Sequence, residues 1–415
     1  MDFRAWQRAA APGLIFSGSA IGVSHLVQST RAGAMFGLAL IAVIILINIL
    51  KYPAFRFGMD YAHATRKTII GGYRELGPWA VPLYAATSLT IAPIGLAAVT
   101  ITTAAILAAL TGVDLPIMAL AALAVGATLL LLLVGGFGWL DGLNKLLIAF
   151  LTVATITAAA LALPRVEWQS STSFEWSVDQ TALLFVIALA GFMPSPIGQS
   201  VQVSLWTLKA QERELESERM SMSDMRKGFL AAYMLTGFLA LCFCVMGAGV
   251  MHAGGVAPES GAADLASQII GLYRETLGTI PAYLAAIAAL CVMATTMIAS
   301  FDGAARGFGA VYEEYRGKIG GRTSQTGYAF FLLLLAVLCL AILALMMDSF
   351  STFIDLVTSI YFVVGPVIAL LNHLVITRCE MPEEHRPSAS VRLLSLTGIV
   401  VMFAMAAMFF ALKAG

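Results

Sequence analysis

Residues 12–37 read PGLIFSGSAIGVSHLVQSTRAGAMFG, an apolar stretch that glycines and polar side chains interrupt along its whole length. A helix that faced lipid throughout would gain nothing from so many helix breakers and hydrogen-bonding groups. In hydrocarbon, backbone N–H and C=O groups released from a helix must find partners inside the protein, so broken backbone is tolerated only where it lines a cavity. We therefore predict a membrane-spanning helix that is broken near its middle.

A second stretch, residues 188–202, repeats this pattern as ALAGFMPSPIGQSVQ. Pro194 and Pro196 each remove a backbone donor, and Gly198 loosens the chain. The two stretches fall in the first and the sixth of eleven apolar segments, which are matching places in two halves of five segments. That placement is typical of a secondary transporter built from an inverted repeat, with its site near the middle of the bilayer. The alternative is two kinked packing helices with small residues at their crossings.

Most of the eleven segments exceed the roughly 20 residues of helix that cross a bilayer core. They cover residues of about 11–31, 33–57, 78–110, 115–135, 141–163, 180–206, 228–251, 279–311, 325–346, 349–377 and 391–412. We predict an all-α integral membrane protein with a single transmembrane transporter domain over residues 1–415. The first repeat covers about 10–163, the second about 180–377, and an extra helix covers about 391–412.

The composition supports this class of protein and excludes several others. Of the 415 residues, 60% are hydrophobic and only 12% are charged, which is about half the charged fraction of soluble domains. The 24 basic and 24 acidic residues balance, so the sequence offers no basic surface for nucleic acid. No P-loop, metalloprotease helix motif or serine triad pattern is present. We expect neither an enzyme nor a bound cofactor.

The basic residues indicate how the chain crosses the membrane. Most of the 24, including Lys51, Arg56 and Arg74, fall on the side of the N-terminus when the segments are counted in order. The positive-inside rule then predicts a multi-pass protein of the cell (inner) membrane with a cytoplasmic N-terminus. With eleven spans, the C-terminus lies on the outer side. The outer loops at 165–179 and 252–278 are short of basic residues and are predicted to be plain connectors.

Three parts of the sequence carry a resemblance to a known family. The first stretch opens with PG at residues 12–13 and closes with RAGAMFG at 31–37; MPS lies at 193–195, and the small-residue stretch TTMIASFDG at 295–303. At these places the sequence resembles the Nramp (natural resistance-associated macrophage protein) family, proton-coupled importers of divalent metal ions. The resemblance implies the leucine-transporter-like fold, a five-plus-five inverted repeat in which helices 1 and 6 are broken.

The sequence departs from the family pattern at the metal site. The DPGN motif of the family's first helix falls on residues 22–25, so that Gly22 replaces the metal-binding aspartate and His25 replaces the asparagine. The histidine of the family's MPH motif becomes Ser195. Met193 is kept, and in the family this soft thioether favours manganese, iron and similar metals over calcium and magnesium.

Few carboxylates remain in the spans to replace the lost aspartate. Asp355 lies in the tenth segment, where the resemblance places a glutamine of the metal site, and no basic residue lies three or four positions from it. Asp355 is therefore protonated, paired with a distant group, or a ligand. The predicted substrate site consists of His25, Met193 and Asp355, backbone carbonyls near Ala190, the position of Gly22, and Gln199 lining the path.

Proton coupling, which the resemblance implies, would need a titratable group within the spans. His25 is one candidate, because a neutral imidazole titrates near physiological pH, and Asp355 is another. Asp302 is a third, although Arg306 four residues later offers the alternative of an i,i+4 ion pair within one helix.

These observations predict a secondary-active transporter that imports a divalent transition-metal ion, similar to manganese or iron, by alternating access. The same fold could instead carry a small organic solute such as an amino acid, whose carboxylate would bind at the N-termini of half-helices. A non-transporting receptor or scaffold is a further alternative. The expected partners are the metal ion as substrate and the lipid bilayer, without nucleic acid. The particular metal and the oligomeric state stay open.

Overall fold

The computed structural model of the chain describes residues 13, 15–135, 138–168, 180–211, 220–316, 324–346 and 349–414. These residues form helices and the loops between them, and no β-strand occurs among them. Residues 169–179, which make up most of the predicted connector at 165–179, lie outside the described residues.

The α-helices are numbered here in chain order. They are α1 (Thr30–Phe36), α2 (Ile41–Thr65), α3 (Ile69–Leu76), α4 (Ala80–Thr111), α5 (Ile117–Val134), α6 (Gly138–Ala162), α7 (Gln180–Phe192), α8 (Gln199–Gln211), α9 (Met222–Met246), α10 (Ala262–Leu277), α11 (Thr279–Tyr315), α12 (Gln325–Met346), α13 (Phe350–Arg378) and α14 (Ala389–Ala414).

Nine helices of the described chain are long and apolar enough to cross a membrane. The two remaining crossings are the broken ones. The first span consists of a helical segment at 15–20, a bend, a π-helical turn at Ser24–Ser29, and α1. The sixth span consists of α7 and α8, which residues 193–198 separate. The predicted fold class, with about eleven spans and breaks in helices 1 and 6, is confirmed.

Side-chain hydroxyls satisfy the backbone where the first span breaks. The chain bends at Ile21 and Gly22, and a π-helical turn replaces α-helical geometry just beyond the bend. Ser29 Oγ donates to the Ser24 carbonyl at 2.9 Å, and Thr296 Oγ1 of α11 donates to the Gly18 carbonyl at 3.1 Å. Ser24 Oγ lies 3.1 Å from the Ala20 carbonyl. Serine stabilises such a break because its hydroxyl offers the backbone a local partner outside the helical ladder.

Glycines let the broken spans pack closely against their neighbours. A Cβ atom at Gly33 of α1 would collide with the Cys244 carbonyl of α9, and a Cβ at Gly191 of α7 would collide with the Thr358 carbonyl of α13. In a membrane, where lipid is as apolar as the helix surface, this close backbone approach is a main source of helix association.

Two sequence-based expectations are wrong. The connector at 252–278 contains α10, whose buried residues Leu265, Ile269 and Leu272 form one apolar face of a helix. Lys51 is not a charge of the cytoplasmic side. It lies within α2 with 1% of its surface exposed, because backbone carbonyls of the sixth span surround its ammonium group.

We predict that Gly33→Ala destabilises the protein. The added methyl group meets backbone, which cannot rotate away, and overpacking of this kind costs about 1–3 kcal/mol. Thermal unfolding of the purified protein in detergent measures the effect. The matched control is Gly126→Ala, because Gly126 lies within α5 and a methyl group added there would have no neighbouring atom within 4 Å. Equal melting temperatures for the two variants would contradict the prediction.

Candidate functional site

A cavity of about 110 Å³ lies between the two broken spans. Its walls come from the first span, the sixth span, α4 and α11, and Tyr361 of α13 closes one side. Gly22 and Gln199, both predicted to belong to the site, line the cavity. The other polar lining residues include Ser19, Ser24, Ser195, Gln202, Thr296 and Ser300. Within the described part of the chain, no acidic or basic side chain lines it.

Hydrogen bonds between the two broken spans organise one wall of the cavity. Ser195 Oγ donates to Gln199 Oε1, and Gln199 Nε2 donates to Ser19 Oγ at 2.9 Å. Ser24 Oγ lies 3.2 Å from the Pro194 carbonyl. The carbonyl oxygen of the Gln202 side chain is buried and has no hydrogen-bond partner among the described residues. It is therefore an acceptor that a bound cation, a water molecule or a solute could use.

The cavity extends toward one end of the bundle. Tyr84 and Ser88, which line it, lie near the start of α4, and Phe308 and Val311 lie near the end of α11. Successive spans run in opposite directions, so the start of α4 and the end of α11 lie at the same end. Asp355, near the start of α13, lies toward the opposite end.

At that opposite end, Arg31 and Asp355 form a two-point ion pair. Arg31 Nη1 lies 2.6 Å from Asp355 Oδ1, and Nη2 lies 2.9 Å from Oδ2. Gln28 Nε2 donates to the same carboxylate at 3.0 Å, and the guanidinium lies over the ring of Phe185 in α7. Of the three states predicted for Asp355, the structure shows pairing with a distant group. Asp355 does not line the cavity.

His25 faces away from the cavity. Its Nε2 donates to the Thr236 carbonyl of α9 at 2.9 Å, and its Nδ1 lies 2.7 Å from Ser24 Oγ. The ring is fully buried between the first span and α9. A histidine that binds a metal needs a free nitrogen lone pair, and here both nitrogens are already engaged.

Met193 and Ala190 also lie outside the cavity lining, although their neighbours Phe192 and Ser195 belong to it. Their carbonyl oxygens instead accept hydrogen bonds from Lys51 Nζ, at 2.7 Å for Ala190 and 2.9 Å for Met193. Lys51 is the residue that the sequence reasoning missed. Its position well inside an apolar run was the available signal.

Asp302 forms the predicted pair with Arg306. Arg306 Nε lies 2.9 Å from Asp302 Oδ2, and the Tyr328 hydroxyl donates to Oδ1 at 2.7 Å. Asp302 does not line the cavity. Nowhere in the described chain do three or more His, Cys, Asp or Glu side chains come together as a metal-binding group.

Comparisons with known proteins agree with this architecture. The family model described as "Natural resistance-associated macrophage protein-like" matches residues 13–412. An uncharacterized protein of Pasteurella multocida is 31% identical over 414 residues, covering 98% of this chain and 93% of the relative.

Two solved structures share the fold at low sequence identity. A manganese transporter of Eremococcus coleocola has a TM-score of 0.69 at 14% identity, covering 97% of this chain and 86% of that one. MhsT in complex with L-phenylalanine has a TM-score of 0.67 at 15% identity, covering 99% and 98%. The family model matches nearly the whole chain, and the structure has two broken spans around a cavity. The chain therefore belongs to the Nramp family of multi-pass divalent metal transporters, which are not enzymes and which carry the metal as a substrate and not as a cofactor.

Proposed function

We propose that the chain imports a divalent transition-metal ion by secondary-active transport, with alternating access about the first and sixth spans. One observation carries the proposal: the cavity between the two breaks extends toward one end of the bundle, while Arg31 and Asp355 hold the other end together. Membership of the Nramp family supports a metal ion as the substrate. The manganese transporter of E. coleocola shares the fold and supports manganese as a first candidate.

We propose a cytoplasmic N-terminus and an outer C-terminus in the cell (inner) membrane. Loops at the end toward which the cavity extends carry basic residues such as Lys67, Arg74 and Arg316, which supports this orientation. The cavity then faces the cytoplasm and the Arg31–Asp355 pair lies on the outer side, as in an inward-facing transporter. The two repeats would be residues of about 10–163 and 180–377, with α14 as the extra helix.

We propose that neutral oxygen ligands hold the ion within the cavity. Ser19, Gln199 and Gln202 line it with hydroxyl and amide groups, and Gly22 leaves the space beside them open. Neutral oxygens alone do not replace the full hydration shell of a divalent ion, so the ion would keep several of its waters. Three predicted ligands, His25, Met193 and Asp355, do not line this cavity in the present conformation.

Proton coupling stays a prediction. The three candidate groups are each engaged in hydrogen bonds: His25 with Thr236 and Ser24, Asp355 with Arg31 and Gln28, and Asp302 with Arg306 and Tyr328. A coupled proton would therefore have to displace one of these partners during the transport cycle.

A second candidate function is the transport of a small organic solute such as an amino acid. The observation in its favour is the lining itself, which is rich in hydroxyl and amide groups and, over the described residues, free of the carboxylates that a bare divalent ion prefers. MhsT, whose structure contains L-phenylalanine, shares the fold.

Uptake into proteoliposomes distinguishes the two functions. We expect the wild-type protein to accumulate manganese and cobalt and not alanine. Gln202→Leu should lower manganese uptake about tenfold, because losing a ligand that contributes about 1.4 kcal/mol to binding weakens the affinity by that factor. Gln325→Leu is the control, since Gln325 lies at an exposed helix start.

Two results would contradict the metal proposal or its site. Uptake of alanine without uptake of any metal would favour the organic-solute function. Metal uptake that Gln202→Leu leaves unchanged, with the protein folded, would show that the ion binds elsewhere.

The ion pair at the outer end generates a separate prediction. Arg31→Asp and Asp355→Arg should each abolish most uptake, because each leaves like charges facing each other where residue 31 is buried and residue 355 is 34% exposed. The double variant with both changes should recover a substantial part of it, since the pair is re-formed with exchanged partners. The same exchange at Lys67 and Glu75, a pair nearer the surface, is the control and should change uptake little. Failure of the double variant to exceed either single variant would contradict a pairing role.

A further inference from the structure

Lys51 is a buried cation whose partners are all neutral. It occupies the eleventh position of the 25-residue helix α2, so it lies far from both ends of that span, and its surface is 1% exposed. Among the described residues, no carboxylate pairs with it. A charged group at this depth of a membrane protein is costly, and such residues therefore usually have a function.

Backbone oxygens at the break of the sixth span surround the lysine nitrogen. Nζ lies 2.7 Å from the Ala190 carbonyl, 3.0 Å from Gly191, 2.9 Å from Met193 and 3.4 Å from Ser195. An ammonium group has three N–H donors and no acceptor, which matches surroundings made only of acceptors. We refer to these four oxygens as the carbonyl cluster.

The carbonyl cluster attracts a cation for two physical reasons. The last four carbonyls of a helix have no partner within that helix, and Ala190 and Gly191 belong to the last turn of α7. The C-terminal end of a helix also carries the negative end of its dipole. Converging carbonyl oxygens are likewise the ligands by which broken helices in transporters bind a metal or alkali ion.

The close packing of α7 keeps the carbonyl cluster in place. Gly191 lies directly against the Thr358 carbonyl of α13, which holds the end of α7 in place in this conformation. Lys51 reaches the cluster from α2, and the cavity residues Phe192 and Ser195 belong to the same break. The ammonium group and a free cation would compete for the same oxygens and would repel each other.

We propose that Lys51 is a tethered cation that occupies the carbonyl cluster and excludes free cations from it, so that Lys51 determines which ions the broken sixth span can bind. The exclusion itself does not depend on the transported substrate. The further consequence, that the substrate ion binds on the cavity side at Gln199 and Gln202, rests on the proposed function. With Lys51 in place, the Ala190 and Met193 carbonyls are not available as metal ligands.

Lys51→Met tests this proposal, because methionine has nearly the same length and no charge. We expect thermal unfolding of the purified wild-type protein in detergent to be insensitive to added ammonium, sodium or manganese chloride. The variant should melt at a lower temperature without these cations and recover when one of them is added. It should also bind radioactive manganese about tenfold more tightly than wild type, since a neighbouring positive charge has been removed.

Lys67→Met is the matched control, because the Lys67 ammonium is exposed and pairs with Glu75 at 2.6 Å. It should respond to cations as wild type does. If Lys51 only capped the end of α7, Lys51→Met would lose stability and added cations would not restore it. A folded Lys51→Met protein with the wild-type cation response and manganese affinity would therefore overturn the proposal.

Lys51→Gln keeps the proposal testable where Lys51→Met does not fold. Its amide donates to two carbonyls without bringing charge, and the proposal again predicts tighter manganese binding than wild type. Unchanged binding in folded Lys51→Gln would overturn it. Manganese uptake by the wild-type protein tests the proposed function separately. A wild type without uptake would refute metal transport, and the cation response of the Lys51 variants would still test the role of Lys51.

Discussion

The backbone that two broken helices release inside a membrane must be satisfied by the protein itself, and this constraint determines the centre of the structure. The first span meets it through its own Ser29 hydroxyl and through the hydroxyl of Thr296 in α11. The sixth span meets it from another helix, through the ammonium group of Lys51. The first break is therefore tied to α11, and the second fixes the position of α2 beside it.

The carboxylates of the spans follow a common pattern. Asp355 pairs with Arg31, Asp302 pairs with Arg306, and Asp60 binds Arg226 at 2.9 Å. The Asp60 carboxylate is fully buried, so breaking its pair would leave an uncompensated charge, which costs more than the pair itself contributes. These three carboxylates each have a basic partner, between helices for Asp355 and Asp60 and within one helix for Asp302. The cavity is left to neutral groups.

Local features could be predicted from the sequence, and features that depend on packing could not. Proline and glycine placement predicted both breaks, and the spacing of Asp302 and Arg306 predicted their pair, since both follow from a single helix. Arg31 and Asp355 are separated by 324 positions, so their contact depends on how α1 and α13 pack. The engagement of both His25 nitrogens likewise depends on α9.

Two missed features did have a sequence signal. Lys51 lies inside the apolar run that was itself predicted as a span, so its burial followed from the depth of that position. In α10, Leu265, Ile269 and Leu272 recur at the spacing of an amphipathic helix.

Gly22 and Lys51 change the charge of the centre in the same direction. On the motif frame that the sequence resemblance implies, Gly22 stands where the family pattern has an aspartate, and Lys51 brings a positive charge to the carbonyls of the sixth span. A divalent ion gives up its water only to carboxylates or to many strong dipoles. Beside this centre it would stay hydrated and weakly held, which favours its release. A solute with a carboxylate would gain from the same positive charge. The two candidate functions therefore differ in the charge of the substrate, which is positive for a metal ion and negative for a carboxylate group. The positive charge of Lys51 would repel the first and attract the second.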